Sequence, residues 1–139
     1  MKVRISAVVA LGLAGLAIGC GSSGDEKASE EAEHHATPQQ AIAEIGKVRA
    51  GLAEALATYR AGDADAADEQ VGDTYLKHFE RVEGPLEDAD HELNEELEDT
   101  IREELREQIR ADAGKAKIAA LVREIDGKLD RAEQALSSE

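Results

Sequence analysis

Carboxylates are the side chains through which this chain can do chemistry. Glu80 and Glu83 stand three residues apart beside the only Phe, Phe79, with Tyr75 and His78 just before them and Glu98 further along. Glu and Asp, with His beside them, suit hard cations or iron. Other chemistries lack their residues. The Ser residues at 6, 22, 23, 29, 137 and 138 all fall outside the stretches read below as helices. Cys20 is the only Cys, so no nucleophile stands ready for a His base. No Gly-rich phosphate loop and no pair of His at zinc spacing occurs. The expectation is a protein that is not an enzyme and whose only cofactor, if it has one, is iron or another hard cation.

Facing sorts the candidates. At 100° per residue, Glu83 lies about 80° from the centre of a face made by Val71, Tyr75, Phe79 and Val82, on its flank. Glu80 lies about 140° away, toward solvent, and His78 takes the flank opposite Glu83. Glu98 points near Ile101 and Leu105, with Asn94 and Gln108 near the same stripe. A carboxylate on a core flank needs a cation nearby or its pKa rises. Arg49, inside the apolar stripe of an earlier helix, is a candidate for that cation. An Arg49–Glu83 or Arg49–Glu98 pair is thus the structural rival to a metal site. His91, next to Asp90, reads as a surface residue near a helix start.

The elements that position these groups are helical. The chain has 139 residues and three aromatics, Tyr59, Tyr75 and Phe79, so its core must be built from Leu, Ile, Val and Ala. Runs of β-branched and aromatic residues that favour strands are missing. A formal charge of −15 argues against nucleic acid as a partner. It is compatible with cationic partners, although a solvated acidic surface is its commoner meaning.

Thr37-Pro38-Gln39-Gln40 opens the first helix, with Thr as cap and Gln40 returning a capping-box bond. Ile42, Ile45, Leu52, Leu56 and Tyr59 share a face, and Gly62-Asp63 ends it. Gly46 and Gly51 each cost about 1 kcal/mol against Ala, tolerable where they allow close helix contact. A second helix runs to Glu83, where Gly84-Pro85 should stop it. Asp90 caps a third, to about Ala113, whose Leu93, Leu97, Ile101, Leu105 and Ile109 recur every four residues. That strict repeat should drift around the helix, since a turn takes 3.6 residues. After Gly114, the fourth helix places Ile118, Val122, Ile125, Leu129, Ala132 and Leu136 at heptad spacing, with Leu121 beside them. Short connections between four amphipathic helices predict an antiparallel four-helix bundle over residues 37–137.

Ahead of it, Lys2 and Arg4 precede an apolar run from Ile5 to Gly19, too short for a bilayer span and fitting a secretory signal over residues 1–19. Leu16-Ala17-Ile18-Gly19-Cys20 resembles a bacterial lipobox, with Cys20 as the lipidated residue. Residues 20–36 read as the anchor and a flexible acidic tether. In the tether, His34 and His35 are either a loose metal pair or simply solvated. The expected location is extracytoplasmic, held by acyl chains to a bacterial membrane.

From Tyr59 to Leu136 the chain resembles a helical extracytoplasmic domain that accompanies bacterial high-affinity, ferroxidase-linked iron permeases. The carrying residues are Tyr59-Arg60-Ala61-Gly62-Asp63 with Ala66-Ala67, Tyr75, Phe79-Glu80-Arg81-Val82-Glu83, Leu86, Leu97-Glu98, Leu105-Arg106, Ile109, Leu121-Val122, Leu129-Asp130-Arg131-Ala132 and Leu136. The resemblance implies a role beside iron or other cation uptake, with Glu80, Glu83 and Glu98 as its acidic positions and a permease as partner. The permease's own Arg-Glu-x-x-Glu motif occurs nowhere in this chain, so transport itself is not expected of it. Gly72-Asp73-Thr74 is also more polar than that family's usual run.

Overall fold

The computed structural model describes residues 36–138. The expected leader, Cys20 and nearly all of the tether lie outside the described residues. Within them the chain is all-α, with four helices and no strand. Helix α1 is Pro38–Ala61. Helix α2 covers 64–89, with a π-helical turn, Tyr75–Phe79, between α-helical segments Ala64–Thr74 and Glu80–Ala89. Helix α3 covers 91–110 and has its own π turn, Asp99–Leu105, between His91–Glu98 and Arg106–Arg110. Helix α4 is Lys115–Ser137, which takes in Ser137 as its last residue.

The caps follow the sequence closely. Thr37 N–H donates to Gln40 Oε1 at 2.8 Å, and Gln40 N–H donates to Thr37 Oγ1 at 3.3 Å, a complete capping box. Gly62 closes α1 with φ 102°, a left-handed conformation open to glycine at little cost. Asp63 and Asp90 accept the backbone N–H of Ala66 and Leu93 at 3.0 and 3.1 Å, starting α2 and α3. Tyr59 latches the turn before α4, donating to Asp112 Oδ1 at 2.8 Å and accepting the Gly114 N–H at 3.3 Å.

One apolar core is shared by all four helices. From α1 it takes Ala41, Ile45, Val48, Leu52, Ala55 and Tyr59, with Ile42 and Leu56 only partly buried beside them. The small residues Ala41, Ala55 and Ala67 thus do core work that hydrophobicity alone does not advertise. Gly51 has a second reason to be small. A Cβ there would run into the Thr74 side chain of α2, so the two backbones approach as closely as they do only because it is absent.

Two expectations fail for physical reasons. Helix α2 does not stop at Glu83 but runs through Gly84-Pro85 to Ala89. Pro85 forfeits one backbone bond, a cost of about 3 kcal/mol in a helix interior. Pro85 and Leu86 are both buried, Leu86 in the core, and burying a Leu side chain alone returns roughly 1.5–3 kcal/mol. The break comes at Asp90 instead, where a capping side chain is available.

The second failure concerns the four-residue repeat in α3. In a regular helix each step of four drifts by about 40°, or about 160° from Leu93 to Ile109. All five residues are nevertheless at most 1% exposed. The π turn, which accommodates an extra residue, takes up about 100° of that drift and keeps the stripe on one side. Val71, Tyr75 and Phe79 repeat the same spacing through the π turn of α2, and all three are buried. Each π turn is preceded or entered by a Thr whose hydroxyl donates back to a carbonyl four residues earlier: Thr74 to Gln70 at 2.8 Å and Thr100 to Glu96 at 2.6 Å.

Candidate functional site

The two π turns meet at a small polar cluster. Tyr75 opens the π turn of α2 and is 5% exposed, yet its hydroxyl must find a partner. It donates to Glu83 Oε1, eight residues along the same helix. From the π turn of α3, Arg102 places its guanidinium carbon 6.0 Å from the centre of the Tyr75 ring. Its Nη1 lies 2.5 Å from Glu98 Oε1, one turn back. Phe79 packs against Tyr75 with ring centres 5.5 Å apart, fixing the floor. Gly72, Tyr75, Leu76, Glu80, Arg102 and Arg106 line a shallow cleft of about 250 Å³ alongside.

Electrostatics single out Glu83. Burial pushes its carboxyl above the usual range, and the negative charges of Glu98 and Glu80 push it the same way. The Tyr75 hydroxyl and the Arg102 charge oppose this without overcoming it. Burial and the adjacent Glu83 carboxylate also hold the Tyr75 phenol above its ordinary value of 10.0, so it stays a donor. The Arg102 guanidinium is held firmly protonated by Tyr75 and Glu98.

The acidic residues singled out from the sequence are therefore neighbours in part. Glu83 is half-buried, Glu80 is exposed and Glu98 is partly exposed, close to the facings expected of them. Glu80 and Glu98 are near enough to bear on Glu83's charge. Among the described residues, no group of three or more His, Cys, Asp or Glu is disposed to hold a metal ion.

His78 does not join them. It faces α1, with Nδ1 2.8 Å from Glu44 Oε2, in a knot that also contains Lys47 at 2.7 Å and Arg81 at 3.4 Å from Glu44 Oε1. Arg49 does not meet Glu83 or Glu98 either, which corrects the expected pairing. It lies against α4, 3.0 Å from Asp126, 2.6 Å from Asp130 and 3.6 Å from Glu133. Those carboxylates recur at three- and four-residue spacing on one face of α4 and pair with the Arg49 Nη1 and Nη2, while its buried Nε is left without a partner. The cation beside Glu83 is Arg102.

Arg102 and the Tyr75 hydroxyl are the parts that sequence reading missed. Tyr75 reads as core packing, and core it is, with its polar end turned to Glu83. The available signal was the spacing of four held over five positions from Leu93 to Ile109, which a regular helix does not sustain on one face, and its shorter echo from Val71 to Phe79. The most buried carboxylate of the described residues, Glu44 at 8% exposure, also went unremarked because it follows Ala43 with no motif around it. Comparison with family models, with curated proteins and with solved structures finds no match for this chain.

Proposed function

We propose that this protein is a lipid-anchored extracytoplasmic module that binds a cation at Glu83, with Glu98 and Glu80 beside it, in support of iron or other cation uptake by a membrane partner. The observation that carries this reading is the unbalanced charge at Glu83. A half-buried carboxylate is flanked by two more carboxylates, and its nearest cation, Arg102, is already bonded to Glu98. A bound cation relieves that imbalance. The resemblance to the permease-associated domain names the same three residues, and anchorage through Cys20 would bring them to a membrane surface. Among the described residues no helix is long and apolar enough to cross a membrane.

The scaffold we infer is the antiparallel four-helix bundle. Tyr59, late in α1, bonds Asp112 before α4, while Arg49, earlier in α1, reaches Asp130 further along α4. Asp68 and Arg106 pair across α2 and α3, as do Glu87 and Asn94 nearer their junction. Thr100 meets Lys128, while Gln108, later in α3, meets Lys117, earlier in α4. Each pair of partners runs in opposite senses along its helices, which supports that arrangement.

Calorimetric titration of the full chain with ferrous, ferric and other divalent ions tests the cation reading. Saturable binding that Glu83→Gln removes supports it, and no binding tighter than roughly millimolar, or binding indifferent to Glu83→Gln, rejects it. Palmitate labelling that persists in Cys20→Ser rejects the anchor. A second reading, a structural or protein-binding lipoprotein of the cell envelope, is favoured by Leu76. It is the only large apolar side chain that stands exposed among the described residues, at 59%, on the rim of the same cleft. A stable partner cross-linked in metal-free buffer and lost in Leu76→Ser favours it.

A further inference from the structure

The junction of α2 and α3, one turn beyond Glu83, gathers charge of one sign around a histidine. Glu87, Asp88, Asp90, Glu92, Glu95 and Glu96 fall in ten consecutive residues that contain no Lys or Arg, and His91 stands among them. Its Nδ1 is 2.6 Å from Glu87 Oε1, on α2, and its Nε2 is 3.6 Å from Glu95 Oε1, one turn along α3. The second oxygen of Glu87 is pinned in turn by Asn94 Nδ2 at 3.1 Å. Asn94 is 6% exposed, and its Oδ1 is buried without a partner. The cations facing this region from α4, Lys128 and Arg131, approach Glu96 at 3.9 and 3.7 Å. Among the described residues neither Glu87 nor Glu95 has a Lys or Arg partner within 4.0 Å.

We propose that His91 Nε2 and the Glu95 carboxylate chelate a divalent transition metal of the zinc class, with Glu87 positioning the imidazole and water completing the shell. Four observations converge on this. Imidazole with carboxylate suits zinc, copper and nickel better than calcium or magnesium. Residues four apart on a helix share a face, so the two ligands project together. Two ligand atoms each about 2.1 Å from a tetrahedral zinc are about 3.4 Å apart, and Nε2 and Oε1 already stand 3.6 Å apart. Finally, a metal-ligating histidine commonly gives its other ring N–H to a carboxylate, which is the place Glu87 occupies. With two protein ligands the site is an open one, and its remaining positions exchange water or a donor from a partner. It shares no ligand with the cluster of Glu80, Glu83 and Glu98, so substitutions test the two sites separately.

The test uses the full chain carrying His34→Ala and His35→Ala, which removes the imidazoles most able to compete. Zinc is titrated while the ring nitrogen resonances of His91 are followed by NMR. The expected result is a saturable shift that Glu95→Gln abolishes, that Glu87→Gln weakens by about tenfold or more, and that Glu83→Gln leaves unchanged. His91 resonances that stay in place under zinc, or that respond with the same affinity in Glu95→Gln, overturn the proposal. An unchanged affinity in Glu87→Gln overturns the positioning role assigned to that residue.

Discussion

Tyr75 and Glu83 lie eight residues apart in one helix, and the tyrosine hydroxyl donates to the glutamate carboxylate. In a regular α-helix such residues sit about 80° apart around the axis. The π turn that begins at Tyr75 takes up most of that angle and brings both side chains onto one side. The bond exists because the helix is irregular.

Glu83 should therefore trade stability for function. Its folded carboxyl lies above the unfolded value, so the stability it contributes is present below that unfolded value and lost as pH rises through the folded one. At neutral pH its charge is a cost. Glu83→Gln should leave the melting temperature at pH 7 unchanged or raise it, while removing the cation response. Tyr75→Phe should move the Glu83 carboxyl further up, because it deletes the donor that favours the ionised form. A pH titration of Glu83 by carbon-detected NMR checks the second point.

Glu44 should show the opposite dependence. Its bond from Lys47, aided by His78 and Arg81 against the cost of burial, holds its carboxyl below the ordinary value of 4.5. Its contribution is then present above the unfolded value and is lost as pH falls through the lower, folded one. Glu44→Gln should destabilise the protein at neutral pH, and the difference from the parent chain should vanish in strong acid. Chemical denaturation at the two pH extremes measures it.

The two glycines of α1 should respond to alanine with opposite signs. At Gly46 nothing lies within 4 Å of a new Cβ, so Gly46→Ala should stabilise by roughly 0.5–1 kcal/mol. At Gly51 the Cβ meets Thr74, and Gly51→Ala should destabilise by about 1–3 kcal/mol through overpacking. Thr74→Ala, which removes the Oγ1 and Cγ2 atoms nearest the new Cβ, relieves part of that loss if the contact is its cause. Thermal melts of the three variants decide.

Phe79 and Glu80 are adjacent and should differ sharply. Phe79 is fully buried, and Phe79→Ala should cost roughly 3–5 kcal/mol. Glu80 is exposed, and Glu80→Gln should change stability by less than about 1 kcal/mol. Melts giving the reverse order would contradict the burial of Phe79.

Much of the scaffold was legible because the apolar residues repeat at helical spacing and the caps are explicit. Thr37, Gly62, Asp63, Asp90 and Gly114 stand at or beside boundaries expected of them. What misled was the assumption of one period throughout. A spacing of four looks like drift until a wider turn is allowed, and Gly84-Pro85 looks like an end until the burial of Pro85 and Leu86 is weighed against one lost bond. The facings of Glu80, Glu83 and His78 were readable because each depends on local geometry. The partners of Arg49 and Glu83 were not, because choosing among so many charges requires knowing which helices are neighbours.

The π turns also bear on how such a chain tolerates changes in length. A single-codon deletion elsewhere in α2 or α3 swings everything downstream by about 100° and carries the apolar stripe out of the core. Within 75–79 or 99–105 the same deletion trades a wide turn for a regular one and leaves the downstream face where it was. Gaps in an alignment of relatives are therefore expected at these two places first. A relative with the gap at 75–79 should keep the fold and lose the Tyr75–Glu83 bond.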